Sequence, residues 1–125
     1  MTTKINWELK EQEQEMSRIK GGKVLRQLRN TSNFTLKEVG AMLGISFQFI
    51  AQVEQGFRSP SNQMLESFAV CYEVYDDTIF QAYGRVPLRV SNLLEENIDL
   101  QMAISKLALR EDKDYIIKQL VSMVM

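Results

Sequence analysis

The sequence predicts an all-α fold, and three features of the chain indicate it. Apolar residues recur at helical spacing along most of the 125 residues. Capping residues and glycines divide that pattern into short helices, most clearly between Thr35 and Gly56. After Pro87 the apolar pattern resumes and continues almost to the last residue. We therefore expect a domain of short helices followed by a C-terminal pair of amphipathic helices. The pair spans roughly 35 residues.

Residues 1–21 form the first predicted segment, a polar arm or an amphipathic helix. Trp7, Leu9 and Met16 are separated by charged residues, and the next turn signal is Gly21-Gly22. A loosely docked terminal arm fits this composition. An amphipathic helix that brings Trp7 and Leu9 to a self-association surface fits it equally well, and the pattern does not choose between them.

A short helix is predicted next, from Lys23 to Asn30. Its apolar positions are 24, 25 and 28, and arginines occupy positions 26 and 29. The polar stretch 31–33 ends this helix, and Phe34 provides an apolar staple before the following cap.

The central motif consists of two helices joined by a tight turn. Thr35 is a good N-cap, and Glu38 completes a capping box. Gly44 stands where a helix commonly ends in the left-handed conformation, and Ser46 caps the second helix, which Gly56 closes. Helix, glycine turn and helix together make the helix-turn-helix pattern, whose second helix can lie in a DNA major groove.

Two further helical segments complete this domain. Ser61 caps a helix predicted from Asn62 to Tyr72, and a short helical turn follows from Asp76. A break from Tyr83 to Pro87 then reads as a linker. These boundaries place the domain at residues 22–84 and a separate C-terminal helical segment at residues 85–125.

The C-terminal segment carries more apolar residues than a solvated helix pair needs. We expect two helices with a hinge from Arg110 to Asp114. So small a unit rarely buries enough surface alone, so it must pack on the first domain or on a second copy. We favour dimerisation over intrachain docking. The predicted dimer interface consists of Leu94, Ile98, Leu107, Ile116, Ile117, Leu120 and Val124.

Composition excludes several classes of protein. The chain has one cysteine and no histidine, so we expect no zinc site, no histidine-based catalysis and no disulfide framework. No catalytic constellation is visible, and we predict neither an enzyme nor a bound cofactor or metal. No apolar run reaches the roughly 18 residues of a membrane span, and the N-terminus is not a secretory signal. We expect a soluble cytoplasmic protein.

Charge is distributed unevenly along the chain. The formal net charge is −1, yet residues 18–64 contain seven basic and two acidic residues. The segments on either side contain more acidic than basic residues. A basic segment between acidic ends is typical of a nucleic-acid-binding module with appended interaction segments. Charges scattered over a solvated surface are the alternative.

The stretch from Lys23 to Phe80 resembles a known family. The resemblance lies in GKVLRQLR, FTLKEVGAMLGIS, FIAQVEQGFRSPS and MLESFAVCYEVYDDTIF. These segments are similar to the helix-turn-helix domain of the phage repressor and Cro class of regulators, also called the Xre family. The resemblance implies a five-helix, repressor-like all-α domain that binds operator DNA, usually as a dimer. A helix pair after such a domain is commonly an oligomerisation element in this family.

The resemblance also implies roles for individual residues. Arg29 and Glu54 match a pair that forms an internal salt bridge, which would hold the first helix against the recognition helix. The DNA base contacts would be made by Phe47, Gln48, Phe49, Ala51 and Gln52. The DNA phosphate contacts would be made by Lys23, Arg26, Lys37, Ser46, Arg58, Ser59 and Ser61. Each basic residue could instead be an ordinary surface charge.

The predicted reading face departs from the family in its residue types. Gln48 and Gln52 share one face, and glutamine can pair bidentately with adenine. Phe47 and Phe49 stand at positions that are usually polar, and the recognition helix has no basic residue. A phenylalanine could pack on thymine methyl groups, which predicts A·T pairs near the contacted bases. Alternatively one of them, more readily Phe49, turns into the protein.

These observations predict a sequence-specific DNA-binding transcriptional regulator, a homodimeric repressor of phage or mobile-element type. Its partner would be double-stranded operator DNA with two half-sites about one helical turn apart. Two alternatives stay open. An antitoxin would combine the same fold with helices that bind a toxin or another protein antagonist. An adaptor would use Leu36, Phe47 and Phe49 as an apolar patch for a protein partner.

Overall fold

The computed structural model describes residues 2–125, with side chains from residue 6 onward, and this part of the chain is helical without strands. It confirms the predicted all-α fold. The chain divides into an N-terminal unit that ends at Pro87 and a C-terminal unit that comprises Leu88–Met125. The helices are α1 Thr2–Thr31, α2 Leu36–Leu43, α3 Phe47–Glu54, α4 Asn62–Cys71, α5 Asp76–Ala82, α6 Leu88–Glu96, α7 Ile98–Leu107 and α8 Lys113–Val124.

Helix α1 differs from the prediction because it runs without a break through Gly21 and Gly22. The expected short helix from Lys23 to Asn30 is only its C-terminal part. Both glycines are buried, and a Cβ at Gly22 would lie 2.5 Å from the carbonyl oxygen of Glu54. A Cβ at Gly21 would collide with the ring of Tyr83. The glycine pair therefore allows close helix packing and does not form a turn.

The caps of α2 and α3 form as predicted. The Thr35 backbone N–H donates to Glu38 Oε1, and the Glu38 N–H donates to Thr35 Oγ1, each at 3.1 Å. Gly44 ends α2 in the left-handed region, with φ of +68°. Ser46 Oγ then accepts a hydrogen bond from the Phe49 N–H. These bonds satisfy backbone groups that helix ends otherwise leave without partners, and they define the turn between the two helices.

The core of the N-terminal unit takes apolar side chains from all five of its helices. The fully buried members are Leu25, Val39, Ile50, Val53, Leu65, Phe68, Ile79 and Phe80. Helix α1 packs on α3 and α5, and α2 packs on α3 and α4. Because α3 packs on both α1 and α2, its inner face is buried in the core and its opposite face is exposed to solvent.

The C-terminal unit contains three helices where the sequence predicts two. The extra break falls at Asn97, whose side chain accepts a hydrogen bond from the Leu100 N–H at 3.0 Å and caps α7. Gln101 Nε2 also donates to the Leu94 carbonyl oxygen at 2.7 Å across this break. An asparagine cap thus interrupts an apolar pattern that by itself continues past it. No residue of this unit is buried.

Candidate nucleic-acid interface

Helix α3 presents an outer face beside the turn that precedes it. Ile50, Val53 and Glu54 are buried on its inner side. Phe47 and Gln48, in the first turn of the helix, are exposed. The first turn of α3 is therefore accessible at the surface of the unit, as a helix that enters a DNA groove must be.

A buried ion pair anchors the other end of α3 to α1. Arg29 Nε donates to Glu54 Oε2 at 2.7 Å, and Arg29 Nη2 donates to Glu54 Oε1 at 2.9 Å. Arg29 Nη1 also donates to the carbonyl oxygen of Phe34 at 3.0 Å. The Glu54 side chain is only 1% exposed. The hydrogen bond with Glu54 raises the pKa of Arg29 above its usual value, and this two-pronged contact restrains the orientation of α3.

Cations from neighbouring elements lie over the two phenylalanines of α3. The Lys37 Nζ is 5.6 Å from the centroid of the Phe47 ring, and the Arg58 guanidinium carbon is 5.9 Å from that of Phe49. Phe47 is exposed, whereas Phe49 is partly buried. Helix α3 has no basic residue of its own. The sequence did not predict that Lys37 and Arg58 lie over its phenylalanine rings. Positive charge therefore reaches the outer face of α3 from α2 and from the loop after α3.

Arg58 also bonds directly to a predicted base-contacting residue. Its Nε donates to Gln52 Oε1 at 2.9 Å, on the exposed side of α3. Gln52 and Ala51 are partly accessible, and Gln48 is exposed. Gln52 is thus already paired within the protein, while Gln48 lies in the exposed first turn.

The remaining predicted phosphate contacts have different surroundings. Lys23 is exposed. The Arg26 Nε lies 3.6 Å from Glu54 Oε1, with a side chain that is 56% exposed. The hydroxyls of Ser46 and Ser61 each accept a capping hydrogen bond, so each keeps its own O–H to donate to a phosphate.

Arg85 is a residue to which the sequence assigned no role. It belongs to the predicted linker, yet its Nη1 donates to the Pro60 carbonyl oxygen at 2.8 Å and to Asn62 Oδ1 at 3.0 Å. Its Nη2 donates to Ser59 Oγ at 2.8 Å. Arg85 therefore fastens the loop between α3 and α4, the loop that carries Arg58. No local pattern marks a contact between residues so far apart in the chain.

The predicted dimer residues are accessible within the C-terminal unit. Ile98 and Val124 are 70% and 75% exposed, and Ile117 and Leu120 are 43% and 47% exposed. Leu94, Leu107 and Ile116 are partly exposed.

Neither a cluster of metal-ligating side chains nor a membrane-spanning helix is found in the described part of the chain. No cluster of three or more potential metal-ligating side chains occurs among the described residues. No helix in the same part of the chain is long and apolar enough to cross a bilayer.

Comparison with known protein families supports a helix-turn-helix domain in the N-terminal unit. Residues 22–79 match a family model described as "Helix-turn-helix domain". The matched range begins at the glycine pair inside α1 and extends into α5, so it contains the anchored α3 and its turn. No curated protein matches the chain. The N-terminal unit therefore contains a helix-turn-helix domain, and such a domain indicates a DNA-binding regulator.

Proposed function

We propose that this protein is a sequence-specific transcriptional regulator of the phage repressor and Cro class, acting as a homodimeric repressor. The observation that carries the proposal is the exposed first turn of α3, with Lys37 and Arg58 beside its phenylalanines. In this proposal α3 enters the major groove and the surrounding cations and serines contact phosphates. Repression is steric, because the bound dimer excludes polymerase from the site.

The local charge supports DNA as the partner despite the net charge of −1. Lys23, Lys37 and Arg58 are exposed and belong to the basic segment of the chain. Neutralising phosphates with lysine and arginine releases counterions, so the affinity of such a protein falls as salt rises. Few such charges are present in one copy. Two copies on two half-sites would combine their contacts, which supports a dimer as the binding species.

Gln48→Ala tests the reading role of α3. Because Gln48 is exposed in the first turn, its loss should leave folding unchanged and weaken operator binding by about 1–3 kcal/mol, the value of one good base contact. The measurement is binding of the full chain to duplex DNA from its own upstream region, over a salt series. The wild type should lose affinity steeply as salt rises.

A matched control for this variant is Gln63→Ala, on α4. Gln63 is also exposed, and it is not among the proposed DNA contacts, so its loss should leave operator affinity unchanged. If the wild type protects no DNA even at low salt, the regulator proposal fails and the adaptor alternative gains support. If Gln48→Ala and Gln63→Ala bind equally well, α3 does not read bases through Gln48.

The C-terminal unit is the proposed dimer interface. It buries none of its residues within the chain, and large apolar side chains lie at its surface. Because Ile98 is 70% exposed, Ile98→Glu should not disturb the folded monomer but should place two charges in the apolar interface. We expect sedimentation to give a dimer for the wild type and a monomer for this variant. Leu109→Glu is the control, since Leu109 is 86% exposed and outside the proposed interface. A dimer that survives Ile98→Glu would refute this placement.

A further inference from the structure

The hydrogen bond between Arg58 and Gln52 changes what α3 can offer to a base. Arginine has donors only, so Gln52 must turn its amide oxygen toward Arg58 Nε, 2.9 Å away. Bidentate pairing with adenine requires both the oxygen and the NH2 group of a glutamine. With its oxygen engaged, Gln52 retains its NH2 group as the free end of the amide. Arg58 occupies one of the two lone pairs of that oxygen, so Gln52 and Arg58 form one hydrogen-bonded group beside α3.

The same hydrogen bond leaves both terminal nitrogens of Arg58 for another partner. Only Nε of the guanidinium is used by Gln52, and the planar fork of Nη1 and Nη2 lies outside that bond. The guanidinium carbon is 5.9 Å from the centroid of the Phe49 ring. A cation over an aromatic face is attracted to it, and this restricts where the arginine side chain can go. Gln52 and Phe49 thus hold a pre-positioned donor fork beside α3.

Base chemistry decides what such a fork recognises. In the major groove guanine presents two acceptors, N7 and O6, whereas adenine presents one acceptor and one donor. A group of N–H donors made of Arg58 and the Gln52 amide complements guanine, and it opposes the N6 amino group of adenine. Because α3 itself carries no basic residue, an arginine that contacts guanine beside this helix would have to come from outside it, and Arg58 lies in the loop that follows.

We propose that Arg58, held by Gln52 and Phe49, reads a guanine base edge in each operator half-site and is not simply a phosphate contact. This inference rests on the proposed function, because it names the base that the DNA-binding surface selects. Arg58 is a specificity-determining residue outside the recognition helix. Arg85, which fastens the loop between α3 and α4, positions the segment from which Arg58 reaches α3.

The experiment is selection of binding sites from a random duplex DNA library by the full chain, followed by competition binding. The wild type should select half-sites with one invariant guanine and prefer it over other bases by about tenfold or more. Arg58→Lys keeps the charge but loses the planar fork. We expect it to retain affinity for bulk DNA, to select the other positions as before, and to lose most of the preference for that guanine.

Two further variants separate this role from phosphate binding. Gln52→Ala removes the anchor of Arg58 and should reduce the same guanine preference. Lys37→Ala removes the other cation beside α3 and should weaken binding to all sequences about equally, with the guanine preference intact.

Three outcomes overturn the inference. Arg58→Lys could keep the full guanine preference, which would make Arg58 a phosphate contact. The selected half-sites could contain no guanine at all. Finally, the wild type itself could enrich no sequence, and in that case the proposed function fails together with the inference. That last result differs from the first two because no sequence is enriched at all, whereas the first two leave sequence-specific DNA binding intact.

Discussion

Arg29→Met should destabilise the N-terminal unit by about 3–5 kcal/mol, the cost of leaving a buried charge without its partner. The Glu54 carboxylate is 1% exposed, and Arg29 supplies its two short hydrogen bonds. Arg26 Nε lies 3.6 Å from Glu54 Oε1, and its side chain is largely exposed. Arg26 therefore cannot replace the two hydrogen bonds that Glu54 loses with Arg29. Urea denaturation followed by far-UV circular dichroism measures the effect as a lower midpoint.

A double variant and an exposed ion pair provide the controls. Arg29→Met combined with Glu54→Leu removes both charges, and much of the lost stability should return because apolar groups can replace a buried pair. Arg110 and Asp112 make a bidentate contact of the same geometry, at 2.7 and 2.8 Å, on the surface. Arg110→Met should therefore leave the denaturation midpoint almost unchanged. If Arg29→Met has as small an effect as Arg110→Met, the pair does not anchor α3.

Gly22→Ala should be the other severe change, with a loss of about 2–3 kcal/mol from overpacking. The added Cβ would lie 2.5 Å from the Glu54 carbonyl oxygen and 2.6 Å from that of Val53. These are backbone atoms of α3, so relief requires α1 and α3 to move apart. In an exposed helix interior the same change would instead stabilise by about 1 kcal/mol. The sign of the change in unfolding free energy is thus the test.

The matched control for this variant is Gly44→Ala. Apart from Gly44 itself and its chain neighbours, no atom lies within 4 Å of a Cβ at this position, but its φ of +68° disfavours alanine. That variant should lose only about 1 kcal/mol, the cost of a left-handed conformation. Because Gly22→Ala also shifts α3, it should weaken operator binding in the folded protein, whereas Gly44→Ala should do so less. A stabilising Gly22→Ala would show that α1 and α3 are not in the close contact described.

The sequence determined the local framework of the helix-turn-helix domain. Thr35 with Glu38, Gly44 and Ser46 define the ends of α2 and α3, and each acts through bonds within a few residues. Such bonds depend on residue type and spacing alone, so a single sequence is enough to predict them. The pairing of Arg29 with Glu54 was available only through a family resemblance, because 25 positions separate the two residues.

Only the tertiary structure decided how these elements come together. The sequence predicts a turn at the glycine pair, but the pair lies inside α1. The close packing of α1 on α3 and α5 leaves no room for a side chain at either position. Arg85, from a stretch that reads as a linker, fastens a loop more than twenty positions away. Arg58 reaches Gln52 and Phe49 across the end of α3. Contacts of this kind depend on where the backbone places each side chain, and periodicity and capping propensity carry no information about that placement.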